Sequence, residues 1–302
     1  MKKGNMLLLL AAFVWGIGLV SQQTGMELLG PWSFTAIRCT LGGLSMVPLI
    51  VYIDRKRMKE EPGFSWKADT IHLIKPAILC GLMVDLCIIF QQYGLLYTTV
   101  SKGSFINGFY IFITPIICVF LHQEVKKKTW VSVVIAMAGL YLMTMAQGID
   151  TVNIGDLVML AAAMIWAVYI ILTDNFVKNV NAIKLSCMQF IFLGLIDFLP
   201  AAIIEPGVIT WQNCYGSMVS ILYAGIVICG VGYTLQMLGQ KTANASTASL
   251  ILSSESIFSM LSGFIILGER LSASEYFGCG LMVIALVIAA FPEKSAEKIT
   301  GE

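Results

Sequence analysis

Charge is scarce in this sequence. Only 12% of its 302 residues are Asp, Glu, Lys or Arg, whereas soluble domains carry about 25%. That leaves too little polar surface to cover a water-soluble globule of this length. An excess of either sign is also missing: the net charge is +1, which excludes a nucleic-acid footprint or a strongly acidic partner. The two histidines, His72 and His122, sit at the ends of apolar runs, with no metal-ligating neighbour at helical spacing. The eight cysteines form no CxxC, and all but Cys214 lie within apolar runs. They read as reduced packing residues, so no disulfide framework, metal site or cofactor is expected. Walker A, GxSxG, HExxH and GxGD patterns are absent, and Gly155-Asp156 lacks the glycine that the last requires. The chain therefore has no ATPase of its own, and an intramembrane enzyme is disfavoured.

What is present is long apolar runs. Hydrophobic residues make up 58% of the chain, mean hydropathy is +0.83, and a membrane-spanning helix needs about 20 such residues. Breaks at charges and turn residues give ten expected spans: 5–22, 32–53, 73–97, 103–121, 129–146, 155–173, 183–204, 216–237, 243–267 and 272–291. The longest connection, Asp54–His72, carries DRKRMKEEP and reads as solvated. Lys2-Lys3 followed by an apolar run resembles a signal peptide. The run continues through Trp15 without a small-residue cleavage site, however, so it is expected to stay as a span. With the N-terminus placed in the cytoplasm, sixteen of the nineteen Lys and Arg fall on that side. Only Lys102 and Arg270 fall outside, and Arg38 lies within a span. This bias predicts a multi-pass protein with both termini cytoplasmic.

The halves resemble each other. Leu10–Trp15 (LAAFVW) aligns with Ala161–Trp166 (AAAMIW) 151 residues on, and at the same offset Arg38 falls on Gln189. Phe90–Gly94 aligns with Leu235–Gly239 at an offset of 145, as does Glu124 with Glu269. The expected organisation is thus an all-α integral membrane fold of about ten helices in two repeats, 1–147 and 148–302. Five spans per repeat is an odd number, so the second half is inverted relative to the first, a construction characteristic of transporters. AAFVWG near the start, FITP (112–115), SSESIF (253–258) and LGERLS (267–272) resemble the drug/metabolite transporter superfamily, specifically EamA-type carriers. That resemblance implies that helices one to four and six to nine surround a central cavity, with the fifth and tenth peripheral and available for a homodimer. The Pro often found after the ninth-span Glu is replaced here by Ser256.

Charges inside a bilayer are expensive and usually face a cavity or a partner. Arg38 in the second span is suited to a substrate carboxylate or phosphate, or else to an ion pair with Asp85 or Glu255. Asp85 in the third span and Glu255 in the ninth are candidates for a coupling proton. Glu255 is also placed for a helix contact among Ser253, Ser254 and Ser256. Asp197 reads as structural. Three polar-aromatic stripes, Asn107/Tyr110/Thr114, Trp166/Tyr169/Thr173 and Tyr233/Gln236/Gln240, run at helical spacing. With Trp15 they are expected to contribute to a cavity lining, against the alternative of packing. Pro48, Pro115 and Pro200 sit within spans as kink sites, and Ser259 with Gly263 fits small-residue packing.

The expected function is secondary transport, by alternating access, of small organic solutes such as amino acids or related metabolites. The resemblance implies export across a bacterial plasma membrane. A lipid or lipid-linked cargo flippase is the alternative.

Overall fold

The computed structural model describes residues 3–98, 100–144, 152–262, 265 and 272–290. Gly263, Glu269 and Arg270, singled out above, lie outside them. The first half contains α1 (Lys3–Leu29), α2 (Pro31–Glu60), α3 (Trp66–Tyr97), the pair α4 (Val100–Asn107) and α5 (Tyr110–Phe120), and α6 (Lys127–Thr144). The second contains α7 (Ile154–Val177), α8 (Ala182–Ile204), a composite of α9 (Trp211–Gly216), α10 (Met218–Leu222), a π-helical segment (Tyr223–Gly232) and α11 (Tyr233–Gln240), then α12 (Ala245–Leu252), α13 (Glu255–Ser262) and α14 (Ala273–Ala290). Among the described residues, five helices are long and apolar enough to cross a membrane: α2, α3, α7, α8 and the stretch Met218–Gln240. The protein is an all-α integral membrane fold.

Side chains in the connections set the helix starts. Ser65 caps α3, Asn181 caps α8 and Asn244 caps α12, while Asn153 and Asp156 form a capping box on α7. One expectation fails at Asp54–His72, which is not a loop throughout. The run through Glu60 extends α2, and α3 begins at Trp66. Lys, Arg, Met and Glu are good helix formers, and Arg57 and Glu61 pair one turn apart at 2.9 Å.

Exchanging the halves preserves the pattern of helix contacts. α2 packs on α8 and α6 on α14, while α3 packs on α7 as the π segment and α11 pack on α1. Close approach requires small residues. A Cβ on Gly139 of α6 would lie 2.8 Å from the Gly278 carbonyl oxygen of α14, and one on Gly278 2.6 Å from the Gly139 oxygen. The fourth and ninth spans are both broken, at residues 108–109 and 253–254. These breaks stand 145 residues apart, at equivalent points of the two repeats.

Equivalent contacts also close the two ends of the bundle. Gly30 precedes α2 with φ 74° and supplies no side-chain cap. The Glu205 carboxylate takes that role, accepting from the Trp32 N–H at 3.0 Å and the Ser33 N–H at 2.8 Å. At the other end Lys184, in α8, donates to Asp54 at 2.8 Å and Asp69 at 3.0 Å. Residues 33 and 184, like 54 and 205, are 151 apart.

Candidate functional site

A cavity of about 50 Å³ lies between the halves. It is lined from α1 by Trp15 and Gln22, from α2 by Arg38, and from α3 by Cys87, Ile88 and Gln91. Asn107 of α4, Trp166 of α7, Ile228 of the π segment, Tyr233 of α11 and Glu255 of α13 complete it. Both broken spans deliver a polar residue at their break: Asn107 ends α4 and Glu255 begins α13. Discontinuous helices of this kind are a recurrent means of placing polar groups at membrane depth. No lining residue comes from α6, α8 or α14. α6 and α14 pack against each other instead.

Arg38 is 1% exposed, and among the described residues its guanidinium has one hydrogen-bond partner: Nη1 donates to Gln22 Oε1 at 3.2 Å. Nε and Nη2 are buried without an acceptor. The guanidinium also lies 5.3 Å from the centroid of the Phe34 ring. Among the described residues Arg38 forms no ion pair with Asp85 or Glu255, so the locked-bundle alternative is not realised. The Glu255 helix-contact alternative is not realised either. Ser253 and Ser254 donate to Leu250 and Ile251 carbonyls of their own helix at 2.7 Å. The cavity thus holds a basic and an acidic side chain that are not paired to each other.

An aromatic cluster forms the floor. Trp15 and Trp166, the repeat mates, meet edge to face at 5.6 Å, and Tyr233 packs 4.9 Å from Trp15 and 6.0 Å from Trp166. Such pairs fix ring orientation beyond simple burial. Each expected stripe reaches the cavity only through its first member, Asn107, Trp166 or Tyr233. The second members stand one layer behind. Tyr110 is buried against Trp166 at 6.3 Å, and Tyr169 stacks on Trp166 at 5.2 Å and exchanges hydrogen bonds with Gln189. Gln236 donates to Gln240, which donates to the Ile170 carbonyl. Helical spacing defines a face, but a curved, broken helix exposes only part of that face.

Asp85 does not line the cavity. Asp85 Oδ1 and both carboxyl oxygens of Asp197 on α8 are buried without a hydrogen-bond partner among the described residues. Gln22, Cys87, Ile88, Gln91 and Ile228 were not anticipated as lining. Of these, Gln22 and Gln91 carried a usable signal, as uncharged amides within or at the edge of apolar spans.

A duplicated helical bundle with polar groups gathered at breaks in its helices defines a polytopic membrane transporter. The EamA-like transporter family model matches residues 2–145 and 153–291, and the chain belongs to that family. It is 27% identical over 304 residues to the Bacillus subtilis protein described as the uncharacterized transporter YwfM, spanning 97% of this chain and 96% of that one. An Archaeoglobus fulgidus protein described as an uncharacterized transporter is 26% identical over 284 residues, 94% of this chain and 84% of that one. A protein crystal structure shares the fold with a TM-score of 0.76 at 15% identity, over 96% of this chain and 97% of the other.

Proposed function

We propose that the protein is a secondary carrier of small zwitterionic solutes, amino acids or closely related metabolites, moved across a bacterial plasma membrane by alternating access. One observation carries this reading: Arg38 and Glu255 line the same cavity without pairing to each other. A solute bearing a carboxylate and an ammonium satisfies both. Its carboxylate accepts from the free Nε and Nη2 of Arg38 in the fork geometry that guanidinium favours. Its ammonium meets Glu255, and the amides of Gln22, Gln91 and Asn107 take the remaining polar atoms. Trp15, Trp166 and Tyr233 provide the apolar wall.

A volume of about 50 Å³ holds one or two waters at roughly 30 Å³ each. Cargo therefore enters only when helices separate at one end. The contacts at the two ends, Lys184 with Asp54 and Asp69, and Glu205 with α2, are the ones such a separation breaks. Alternating rupture of the two gives the two open states, and cargo shifts the balance by binding one better than the other. With Lys184 and Asp54 on the cytoplasmic side, both termini are cytoplasmic. Export follows when the cytoplasmic solute is in excess. α14 leaves Tyr276 and Phe277 exposed on its outer face, for lipid or for a second copy.

Counterflow in proteoliposomes loaded with amino acids tests the reading. Saturable exchange of labelled amino acid, lost in Arg38→Ala, is the expected result. Correctly inserted protein that exchanges none of them but moves lipid-linked cargo would replace this reading with a flippase.

A further inference from the structure

Gly16, which ends the AAFVWG motif, lines no part of the cavity, yet α1 meets the break in the ninth span there. A Cβ on Gly16 would lie 2.6 Å from the Glu255 carbonyl oxygen, 2.6 Å from Phe258 Cβ and 2.8 Å from the Ser259 nitrogen. Two of these are backbone atoms and the third is the root of a side chain, so no rotamer change relieves the contact. Favourable carbon contacts lie at about 3.5–4.0 Å, so a methyl at position 16 moves α13 from α1 by roughly 1 Å. The rings of Phe13 and Phe258 meet edge to face at 5.2 Å across the same contact. Glu255 is the first residue of α13 and lines the cavity. Among the described residues its carboxyl has no hydrogen-bond or ion-pair partner, so the position of its backbone decides where that carboxyl reaches. The other repeat supplies a comparison. Gly16 falls on Ala167 at the offset of 151, and Glu255 on Tyr110 at the offset of 145. Tyr110 likewise begins a helix after a break, and that helix, α5, packs on α7, which carries the fully buried Ala167. Where the methyl is present, the residue after the break stands behind Trp166; where it is absent, that residue lines the cavity.

We propose that Gly16 is a positioning residue: by letting α1 touch the α13 backbone directly, it sets where Glu255 stands in the cavity, and with that the preference for cargo carrying an ammonium. A shift of α13 displaces one of the two groups that a zwitterion meets and leaves Arg38 in place on α2. Recognition of the ammonium is therefore lost before recognition of the carboxylate. Binding sites tolerate displacements of about 0.5 Å, which the shift exceeds. This inference rests on the pairing of Glu255 with the cargo ammonium proposed above.

Two measurements on full-length protein in lipid, both normalised to inserted protein, test it. The first is counterflow of a labelled amino acid, competed by the unlabelled amino acid or by its deaminated analogue, a monocarboxylate. Gly16→Ala is expected to weaken the amino acid about tenfold, the lower end for loss of a hydrogen bond to a charged group, and to leave the analogue unchanged. In a Glu255→Gln background the same substitution is expected to change neither. Gly139→Ala overpacks α6 against α14, away from the cavity; it controls for general destabilisation and is expected to keep the wild-type preference. Equal weakening of both competitors by Gly16→Ala, or a full further loss in the Glu255→Gln background, would overturn the proposal. The second measurement needs no cargo. A hydrophobic carbodiimide adds to carboxyl groups within a membrane, and its rate at Glu255 is read from the mass of the peptide carrying that residue. Gly16→Ala is expected to shift this rate and Gly139→Ala to leave it; the wild-type rate in Gly16→Ala is the overturning result. Should Gly16→Ala fail to insert, Phe13→Ala loosens the same α1–α13 contact without adding an atom, and an unchanged rate at Glu255 there overturns the proposal instead. No counterflow from inserted wild type would sink the assigned cargo, and the carbodiimide rates would still decide whether Gly16 positions Glu255.

Discussion

Asp54 and Glu205 stand 151 residues apart at the same position of the two repeats, and each reaches the third residue of the other repeat's second helix. Asp54 accepts from the Lys184 ammonium at 2.8 Å, and Glu205 from the Ser33 backbone N–H at 2.8 Å. One fold-level contact therefore occurs twice, once at each end of the bundle, with different chemistry.

The ionic end is expected to be the weaker one when its cation is removed. Lys184→Ala leaves Asp54 without its cation and Asp69 with Arg57 alone, at 3.7 Å, a loss of about 3 kcal/mol for a largely buried pair. Bulky thiol reagents should then label a cysteine introduced at the α2–α8 contact near that end faster than in the unaltered background. Unchanged labelling would remove this contact from any role in closure.

Arg38 and Glu255 are expected to act on cargo, not on folding. Losing a hydrogen bond to a charged group costs about 1.5–3 kcal/mol, which is roughly a 10- to 100-fold loss of affinity. Arg38→Ala and Glu255→Gln should each show this in counterflow while inserting normally. Loss of the protein from the membrane in both would reassign them to structure.

Trp166 touches Trp15, Tyr110, Tyr169 and Tyr233. Truncation to Ala should destabilise the protein by about 3–5 kcal/mol, visible as a lower midpoint in thermal unfolding in detergent. Trp166→Phe, which keeps a ring, should retain most of that stability. Equal effects from the two would argue against the aromatic cluster as the source.

Glycine 139 provides a contact with an internal control. A methyl there meets a carbonyl oxygen of α14 at 2.8 Å, whereas one on Gly280 meets nothing within 4 Å. Overpacking costs about 1–3 kcal/mol, so Gly139→Ala should lower the unfolding midpoint and Gly280→Ala should not. The opposite order would show that α6 and α14 pack differently.

Much of this arrangement could be read from the sequence, because membrane depth constrains it so strongly. Arg38 and Glu255 stood out as charges in apolar runs, and the Trp15–Trp166 pair stood out through the repeat. The breaks at 108–109 and 253–254 did not. They depend on how helix ends pack around the cavity, and the short polar stretches there, Asn107-Gly108 and Ser253-Ser254-Glu255-Ser256, do not by themselves mark a helix end. Tyr110, Tyr169 and Gln236 shared a helical face with true lining residues but stand behind them, since periodicity gives direction and not depth. Asp197 was set aside for lying near a helix end. It is fully buried on α8, and such burial appears only when α8 is packed against α2 and α3.

The two ends also differ in what substitution can reach. Lys184 with Asp54 and Asp69 can be erased by one codon change at position 184. Glu205 instead holds amides that every residue except proline supplies, so drift at positions 32 and 33 leaves its acceptors occupied. One face of the bundle thereby hangs on the identity of a donor side chain, and the opposite face takes its donors from a backbone that substitution leaves in place.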